Sequence, residues 1–184
     1  IGHGGYQSGG SSKNHQGDIY LNYNPDTGLA TGGGEISLSG RKGSGTGAFS
    51  ATYAQIGHGG RNAGGTKHGD IVIGQSDAIT LTGFGEQSYA QIGHGGNGTG
   101  PNHTASGSIE LNTSGLLQMN SGYGAEAYTL VGHGGYGSGG TANYGLAGES
   151  IAVTARAVEM TAGSDLAAFS QIGHGGYRIT GTKT

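Results

Sequence analysis

The sequence has no cysteine, no tryptophan and two prolines in 184 residues, and only 10% of its residues are charged. The absence of cysteine excludes disulfide staples and thiolate metal sites. Eight Lys and Arg residues against eleven Asp and Glu give a net charge of −3. Nucleic acid is therefore not an expected partner, because its binding depends on cationic contacts to phosphate. No run of about 18 apolar residues occurs, so no membrane span is predicted in this segment.

Large apolar residues are also scarce, since Leu, Ile, Val and Phe together make up 29 of the 184 residues. Glycine, with 45 residues, is far above its average share of about 7%. Collagen is excluded because glycine does not recur at every third position and proline is almost absent. So few large side chains would not fill an ordinary two-layer core. Two interpretations remain, a flexible glycine-rich polymer or a repeat fold with a thin shared core.

A repeated pentapeptide decides between these interpretations. The sequence Ile-Gly-His-Gly-Gly, once with Val in first place, begins at Ile1, Ile56, Ile92, Val131 and Ile172. The spacings are 55, 36, 39 and 41 residues. Periods of this size indicate stacked supersecondary units.

Each repeat contains three short segments in which apolar and polar residues alternate. A period of two residues predicts β-strands, and no segment shows the period of an amphipathic helix. One segment leads into the pentapeptide, and the other two follow it in a constant order. The predicted inward core residues are Ile19, Leu21, Ile36, Leu38, Ile56, Ile71, Ile73, Ile79, Leu81, Ile92, Ile109, Leu111, Leu117, Met119, Val131, Ile151, Val153, Val158, Met160 and Ile172.

Three strands per repeat, joined by turns too short for helices, predict an all-β, three-sided parallel β-solenoid in which glycines turn the corners. Parallel crossovers are overwhelmingly right-handed, so a right-handed coil is expected. The predicted coils are 1–55, 56–91, 92–130 and 131–171, with a partial coil at 172–184. Extra residues of the long first coil are assigned to turns at 22–34 and 41–52. We expect one solenoid segment, excerpted from a longer repeat array or stacking end to end with identical subunits.

The repeated aromatic-Ala-Gln-Ile-Gly-His-Gly-Gly unit, followed by Gly-Asp-Ile-x-Leu at 17–21 and Ile-x-Leu-x-Gly at 36–40, resembles parts of very large bacterial exoproteins. The resemblance is to filamentous-haemagglutinin-like adhesins, which are exported by two-partner secretion or autotransport. It covers nearly the whole chain as repeats. It implies a right-handed β-helix, an extracellular or cell-surface location and service as a fibre, and it brings no catalytic residues.

Five histidines share one position of the repeat: His3, His58, His94, His133 and His174. In a solenoid they would form a column with a spacing of about 4.8 Å. One hypothesis is a line of metal ligands, since neutral imidazole binds metals. A straight column, however, offers at most two neighbours per metal, whereas zinc requires three or four converging ligands. The favoured interpretation is a structural corner column, with no cofactor. Because adjacent imidazolium charges repel, the pKa values of the folded state should lie below about 6.5.

A second column is aromatic and consists of Tyr53, Tyr89, Tyr128 and Phe169. If it faces outward it could bind glycans; the favoured interpretation is structural stacking between coils. Gln55, Gln91 and Gln171 form a third column, which predicts an amide ladder along the axis.

Two functions from different classes are compatible with these patterns. The leading hypothesis is a structural rod or fibre segment of a secreted or cell-surface adhesin-like protein, with neighbouring repeats or identical subunits as partners. The second is a module that binds host or environmental glycans, or other surfaces, through aromatic and loop residues. An enzyme is not expected, because the acidic residues are scattered among turns and outward strand positions instead of being gathered as an acid–base pair.

Overall fold

The computed structural model describes residues 1–6, 14–41, 52–99, 103–137 and 143–183. All regular structure in these ranges is β, in nineteen strands. The described part of the chain therefore offers no helix of the length and apolarity that a membrane span requires.

Seventeen of the strands form four parallel sheets, which we number in the order in which a coil visits them. Sheet 1 contains β6 (Tyr53–Ile56), β10 (Tyr89–Ile92), β14 (Tyr128–Val131) and β18 (Phe169–Ile172). Sheet 2 contains β1 (His15–Gln16), β7 (Thr66–His68), β11 (Thr104–Ser106), β15 (Asn143–Tyr144) and β19 (Thr182–Lys183). Sheet 3 contains β2 (Ile19–Leu21), β8 (Ile71–Ser76), β12 (Ile109–Thr113) and β16 (Ile151–Thr154). Sheet 4 contains β5 (Glu35–Arg41), β9 (Ala78–Phe84), β13 (Leu116–Asn120) and β17 (Ala157–Thr161).

The register of these sheets follows the sequence repeat. Tyr89 pairs with Tyr53 on one side and with Tyr128 on the other, so equivalent residues of successive coils are neighbours. Sheets 3 and 4 show the same parallel pairing, as between Ile71 and Ile109. Each circuit of the chain contributes one strand to each sheet, which confirms the predicted all-β, parallel solenoid architecture.

The number of sides differs from the prediction, because each coil has four strands instead of three. The strand missed by sequence reasoning belongs to sheet 2 and is only two or three residues long. Such a strand is too short to show alternation. The residue at its core-facing position also changes in character from coil to coil, since the buried Lys67 pairs with His15 on one side and with Ala105 on the other.

The long first coil carries its extra residues as a local hairpin. Strands β3 (Tyr23–Asn24) and β4 (Leu29–Ala30) pair antiparallel, which confirms the turn insertion predicted at 22–34. The second predicted insertion, at 41–52, falls almost entirely outside the described residues.

The main core lies between sheets 1, 3 and 4. Twelve of the predicted core residues are buried: Ile19, Ile56, Ile71, Ile73, Ile79, Leu81, Ile92, Ile109, Leu111, Leu117, Met119 and Val131. A further five are partly buried and pack against them: Leu21, Ile36, Leu38, Ile151 and Val153. Three predictions are wrong, because Val158, Met160 and Ile172 are 46%, 43% and 37% exposed. In the described residues only sheets 1 and 2 continue past β17, so these side chains lie at an open face of the stack.

A second, smaller core covers the opposite face of sheet 1. Tyr89, Tyr128, Leu130 and Tyr136 form a buried cluster there. Sheet 1 is therefore enclosed on both faces. Its strands consequently lack the alternation of buried and exposed residues that a half-exposed strand would show, and β10 and β14 are buried at every position.

Candidate functional site

The pentapeptide forms a ladder of backbone hydrogen bonds between coils. In the third coil the N–H of Gly93 donates to the carbonyl of Ile56 at 2.8 Å, and that of Gly95 donates to His58 at 3.0 Å. The last glycine, Gly96, donates in the other direction, to the following coil, at 2.8 Å. The repeated turn is therefore a continuation of sheet 1 in which glycine replaces ordinary strand residues.

Glycine is required in this ladder for two reasons. Gly57, Gly93 and Gly132 have φ values of +149°, +146° and +152°, which L side chains rarely adopt. A Cβ at these positions would also lie 1.9–2.1 Å from the carbonyl oxygen of the equivalent glycine in the following coil. The coils approach so closely here that no side chain fits between them.

The histidine rings form the predicted column. From His3 to His174 the four distances between successive ring centroids are 5.1, 4.8, 4.8 and 4.9 Å. Neighbouring ring planes are within 20° of parallel. His94 and His133, in the middle of the column, are completely buried. The flanking glycines leave the space that the stacked rings occupy.

Both nitrogens of each central imidazole bond to the preceding coil. The Nδ1 of His94 accepts the backbone N–H of His58 at 2.8 Å, and the Nδ1 of His133 accepts that of His94 at 3.0 Å. Their Nε2 atoms lie 2.8 Å from the carbonyl oxygens of Gly69 and Gly107. Because Nδ1 accepts, the ring proton is on Nε2 and is donated to the carbonyl. Each ring is neutral, and its two hydrogen bonds hold it to two different turns of the preceding coil.

The same contacts continue towards the ends of the column. The backbone N–H of His3 donates to the Nδ1 of His58 at 3.0 Å, and that of His133 donates to the Nδ1 of His174 at 3.2 Å. The Nε2 of His58 lies 2.7 Å from the carbonyl oxygen of Gly17. The column is thus a second inter-coil ladder, in which imidazole nitrogen takes the place of a backbone carbonyl.

Burial and mutual proximity hold these histidines in the neutral form. Burial lowers the pKa of His94 to about 4, and the neighbouring imidazole of His58 adds to this. Burial also lowers the pKa of His133 well below its ordinary value. The pKa values of His58 and His174 are lowered for the same main reason. Burial is the larger cause of this lowering, and repulsion from a neighbouring imidazole adds to it at His58, His94 and His133.

This bonding pattern bears directly on the metal hypothesis. A metal ligand must offer a lone pair, and the lone pair on the Nδ1 of His94 and of His133 already accepts a backbone N–H. Among the described residues no three His, Asp or Glu side chains are grouped as a metal site would require. The geometry of the column therefore supports the structural interpretation.

The aromatic column is enclosed in the second core. Its rings are 4.9, 4.7 and 4.9 Å apart and within 5° of parallel from Tyr53 to Phe169. Tyr89 and Tyr128 are completely buried, so they offer no face to a glycan. The hydroxyl of Tyr89 lies so close to Gly96 that a Cβ there would come within 2.8 Å of it. The carbonyl oxygen of Gly60 is closer still, at 2.5 Å, and these two contacts together with the φ of +137° explain the last glycine of the pentapeptide.

The free energy of unfolding of the Tyr128→Phe variant is expected to differ from that of the parent by less than about 1 kcal/mol. The reason is that the same stack already has phenylalanine at residue 169 in the next coil. Tyr128→Ala should instead lower the free energy of unfolding by about 3–5 kcal/mol through loss of buried ring contacts. Urea denaturation of both variants tests this. Equal losses in the two variants would show that the hydroxyl, and not the stacked ring, supports the column.

The glutamines do not form the predicted amide ladder. The Nε2 of Gln91 donates to the backbone carbonyls of His94 at 3.2 Å and Gly132 at 3.0 Å. Gln55 makes the equivalent bond to Gly93 at 2.8 Å. The glutamine side chain therefore bonds to the pentapeptide that directly follows it in the chain and to the next pentapeptide of the stack, and it stabilises the turn instead of pairing with other glutamines.

A buried lysine in sheet 2 was missed by sequence reasoning. The Nζ of Lys67 donates to the carbonyls of Ala63, Gly64 and Gly65 at 2.6–3.0 Å and lies 3.0 Å from the Nδ1 of His103. Burial lowers the pKa of Lys67 to about 8. Burial and the Lys67 charge lower that of His103 to about 3. The lysine thus closes the turn that precedes its own strand.

The same device recurs in the last coil. The Nζ of Lys183 donates to the carbonyls of Ile179 and Gly181, which stand at the same offsets of four and two residues. The repeated Gly-Thr-Lys at 65–67 and 181–183 is the sequence signal for this lysine turn. It was missed because it occurs only twice in the chain.

The acidic residues also serve the coil stack. Asp18 accepts the backbone N–H of Asp70 at 2.8 Å, and Asp70 accepts that of Ser108 at 2.8 Å. The N–H of Asp70 lowers the pKa of Asp18. Ser108 continues the series with a longer contact from Ser150. These carboxylates satisfy backbone groups of the next coil, which accounts for the Gly-Asp pair before sheet 3.

Comparison of the chain with protein-family models, with curated proteins and with solved structures finds no match.

Proposed function

We propose that the chain is a structural rod segment that extends by coil stacking. The observation that carries this proposal is that the repeated polar side chains make hydrogen bonds between coils. The central histidines use both ring nitrogens to join coils, and the glutamines and Gly-Asp carboxylates bond to backbone groups of adjacent coils. The most regular residues of the sequence thus support stacking, and the proposal includes no catalytic step.

The two ends of the described stack support extension. At one end a groove of about 330 Å³ is lined by Ile1, Leu21, Ile36, Leu38 and their neighbours. At the other, Val158 and Met160 are nearly half exposed although their equivalents in inner coils are buried. Both faces present apolar rows in solenoid register, so a further coil would bury them. We propose that the added coils belong to the same kind of repeat, in one chain or in a second copy.

End-to-end stacking predicts association that depends on concentration. Sedimentation velocity and negative-stain electron microscopy of the chain should show oligomers that lengthen along one axis. The Val158→Lys/Met160→Lys double variant should abolish them, because ammonium groups would be buried at the joint. Glu159→Lys, on the outward face of the same strand, is the matched control and should still associate. A chain that stays monomeric at every concentration contradicts end-to-end assembly.

The resemblance to haemagglutinin-like exoproteins leads us to place this rod, again as a proposal, outside the cell or on its surface as part of an adhesin-like fibre. Surface labelling of cells that express the parent protein tests the location. Labelling confined to permeabilised cells would contradict it.

A further inference from the structure

A groove on the outer face of sheet 4 is separate from the buried columns. It has a volume of about 440 Å³ and is lined by Ser37, Ser39, Thr82, Phe84 and Tyr123. These residues come from three successive coils. The groove therefore runs along the axis of the stack, and its size is within the range of small-ligand sites.

The floor of the groove is polar and repetitive. Ser39 and Thr82, which line the groove, pair in sheet 4, and the row of hydroxyl and amide residues continues beyond the groove with Asn120 and Thr161. The spacing of such a row is about 4.8 Å. Hydroxyl and amide groups both donate and accept hydrogen bonds. The row therefore suits a ligand that itself carries regularly spaced hydroxyls.

The wall of the groove is an aromatic pair made of the exposed Tyr123 and the half-buried Phe84. Tyr123 is 69% exposed and meets the ring of Phe84 edge-to-face, with centroids 5.4 Å apart. Its loop is fixed to the preceding coil by the Gly85 N–H, which donates to the Tyr123 carbonyl at 2.9 Å. Gly122 has a φ of +60° and leaves room for the Phe84 ring, which a Cβ would meet at 2.2 Å. The tyrosine is thus an exposed platform on a backbone held in place.

The chemistry of the lining selects a class of ligand. None of the five lining residues carries a carboxylate or an ammonium group, so a charged ligand finds no partner among them. The hydroxyl row disfavours a purely apolar ligand, because its groups would be desolvated without partners. A ring with one apolar face and hydroxyls at its edge satisfies both the aromatic wall and the polar floor. We propose that this groove binds a neutral saccharide, with a sugar ring stacked on Tyr123.

The test is binding of the intact chain to an array of neutral and charged oligosaccharides, followed by titration monitored by NMR. Neutral glycans should bind, and Tyr123→Ala should weaken binding about tenfold through loss of stacking. Tyr123→Phe keeps the ring and should bind within about threefold of the parent. Tyr6→Ala removes a tyrosine that is 57% exposed but does not line the groove, and it should leave affinity unchanged.

Circular dichroism and melting of each variant establish that the fold is retained before affinities are compared. No binding of neutral glycans at roughly millimolar affinity, binding of charged glycans alone, or equal affinities of Tyr123→Ala and the parent would overturn the assignment. The rod proposal does not depend on this result, because sedimentation measures stacking separately.

Discussion

Gly93→Ala is expected to lower the free energy of unfolding by about 4 kcal/mol or more, which would leave a domain of ordinary stability largely unfolded. The new Cβ would lie 1.9 Å from the carbonyl oxygen of Gly132. The backbones of Gly93 and Gly132 are both hydrogen-bonded to the preceding coil. Neither residue can therefore move away from the other without breaking the ladder. The φ of +146° adds strain, which alone costs on the order of 1–3 kcal/mol.

Two other glycines separate these causes. Gly17 has a φ of +130° and nothing within 4 Å of the position of a Cβ, so Gly17→Ala should cost only the backbone strain, about 1–3 kcal/mol. Gly32 has open space and no positive φ, so Gly32→Ala should be neutral or slightly stabilising. Urea denaturation followed by circular dichroism gives the three values. A Gly93→Ala loss no larger than that of Gly17→Ala would refute close coil contact at the pentapeptide.

The solenoid is expected to lose stability as the pH falls, because the buried histidines of the folded column resist a protonation that the unfolded chain accepts. An unfolded histidine titrates near pH 6.5, whereas burial lowers the pKa of His94 to about 4 in the fold. Between these values the unfolded chain binds more protons, so stability is complete above about pH 6.5 and falls as the pH drops towards 4. For His94 alone the loss amounts to about 3 kcal/mol.

Besides burial, the occupied Nδ1 of each ring disfavours the imidazolium form. A proton on the Nδ1 of His94 would face the backbone N–H of His58, which now donates to that atom at 2.8 Å. His133 resists protonation for the same reason and is equally buried. The total loss of stability on acidification should therefore exceed the value for a single ring.

Free energies of unfolding between about pH 8 and 4 test this expectation. The His94→Phe variant keeps a stacked ring but no longer titrates, so its stability should depend less steeply on pH, by up to about 1.4 kcal/mol per pH unit. His68→Ala removes an exposed histidine outside the column and is the control. Equal stability at pH 7.5 and 5 would contradict the account of the column.

The repeat register and the alternating segments were sufficient to predict most of the fold. Ile71 and Ile109 stand at equivalent positions in the sequence and pair in sheet 3. Sheet 2 was missed because its strands are very short and the residue at their core-facing position changes in character from coil to coil, as between Lys67 and Ala105. The exposure of Met160 was missed because alternation predicts which side a residue faces and not whether another coil covers it.

The sequence was sufficient to predict which histidines share a column, but it did not predict their hydrogen bonds. The sequence places His94 and His133 in one column, and stacking follows from the spacing of parallel strands. The Nδ1 bonds to backbone N–H groups depend on the positive φ of the flanking glycines, which sequence spacing does not reveal. The groove at Tyr123 was missed because its residues come from three coils and share no motif.

The protonation state of the buried imidazoles distinguishes a hydrogen-bonded imidazole ladder from a column of rings that merely stack. Long-range proton–nitrogen NMR of the chain labelled with ¹⁵N-histidine, recorded at about pH 7.5, distinguishes the two neutral tautomers from imidazolium. For His94 and His133 the account predicts protonated Nε2, unprotonated Nδ1, and a coupling across the hydrogen bond from the His94 N–H to the His133 Nδ1. Protonated Nδ1 in these rings, or fast averaging between the tautomers, would contradict an imidazole ladder that joins the coils.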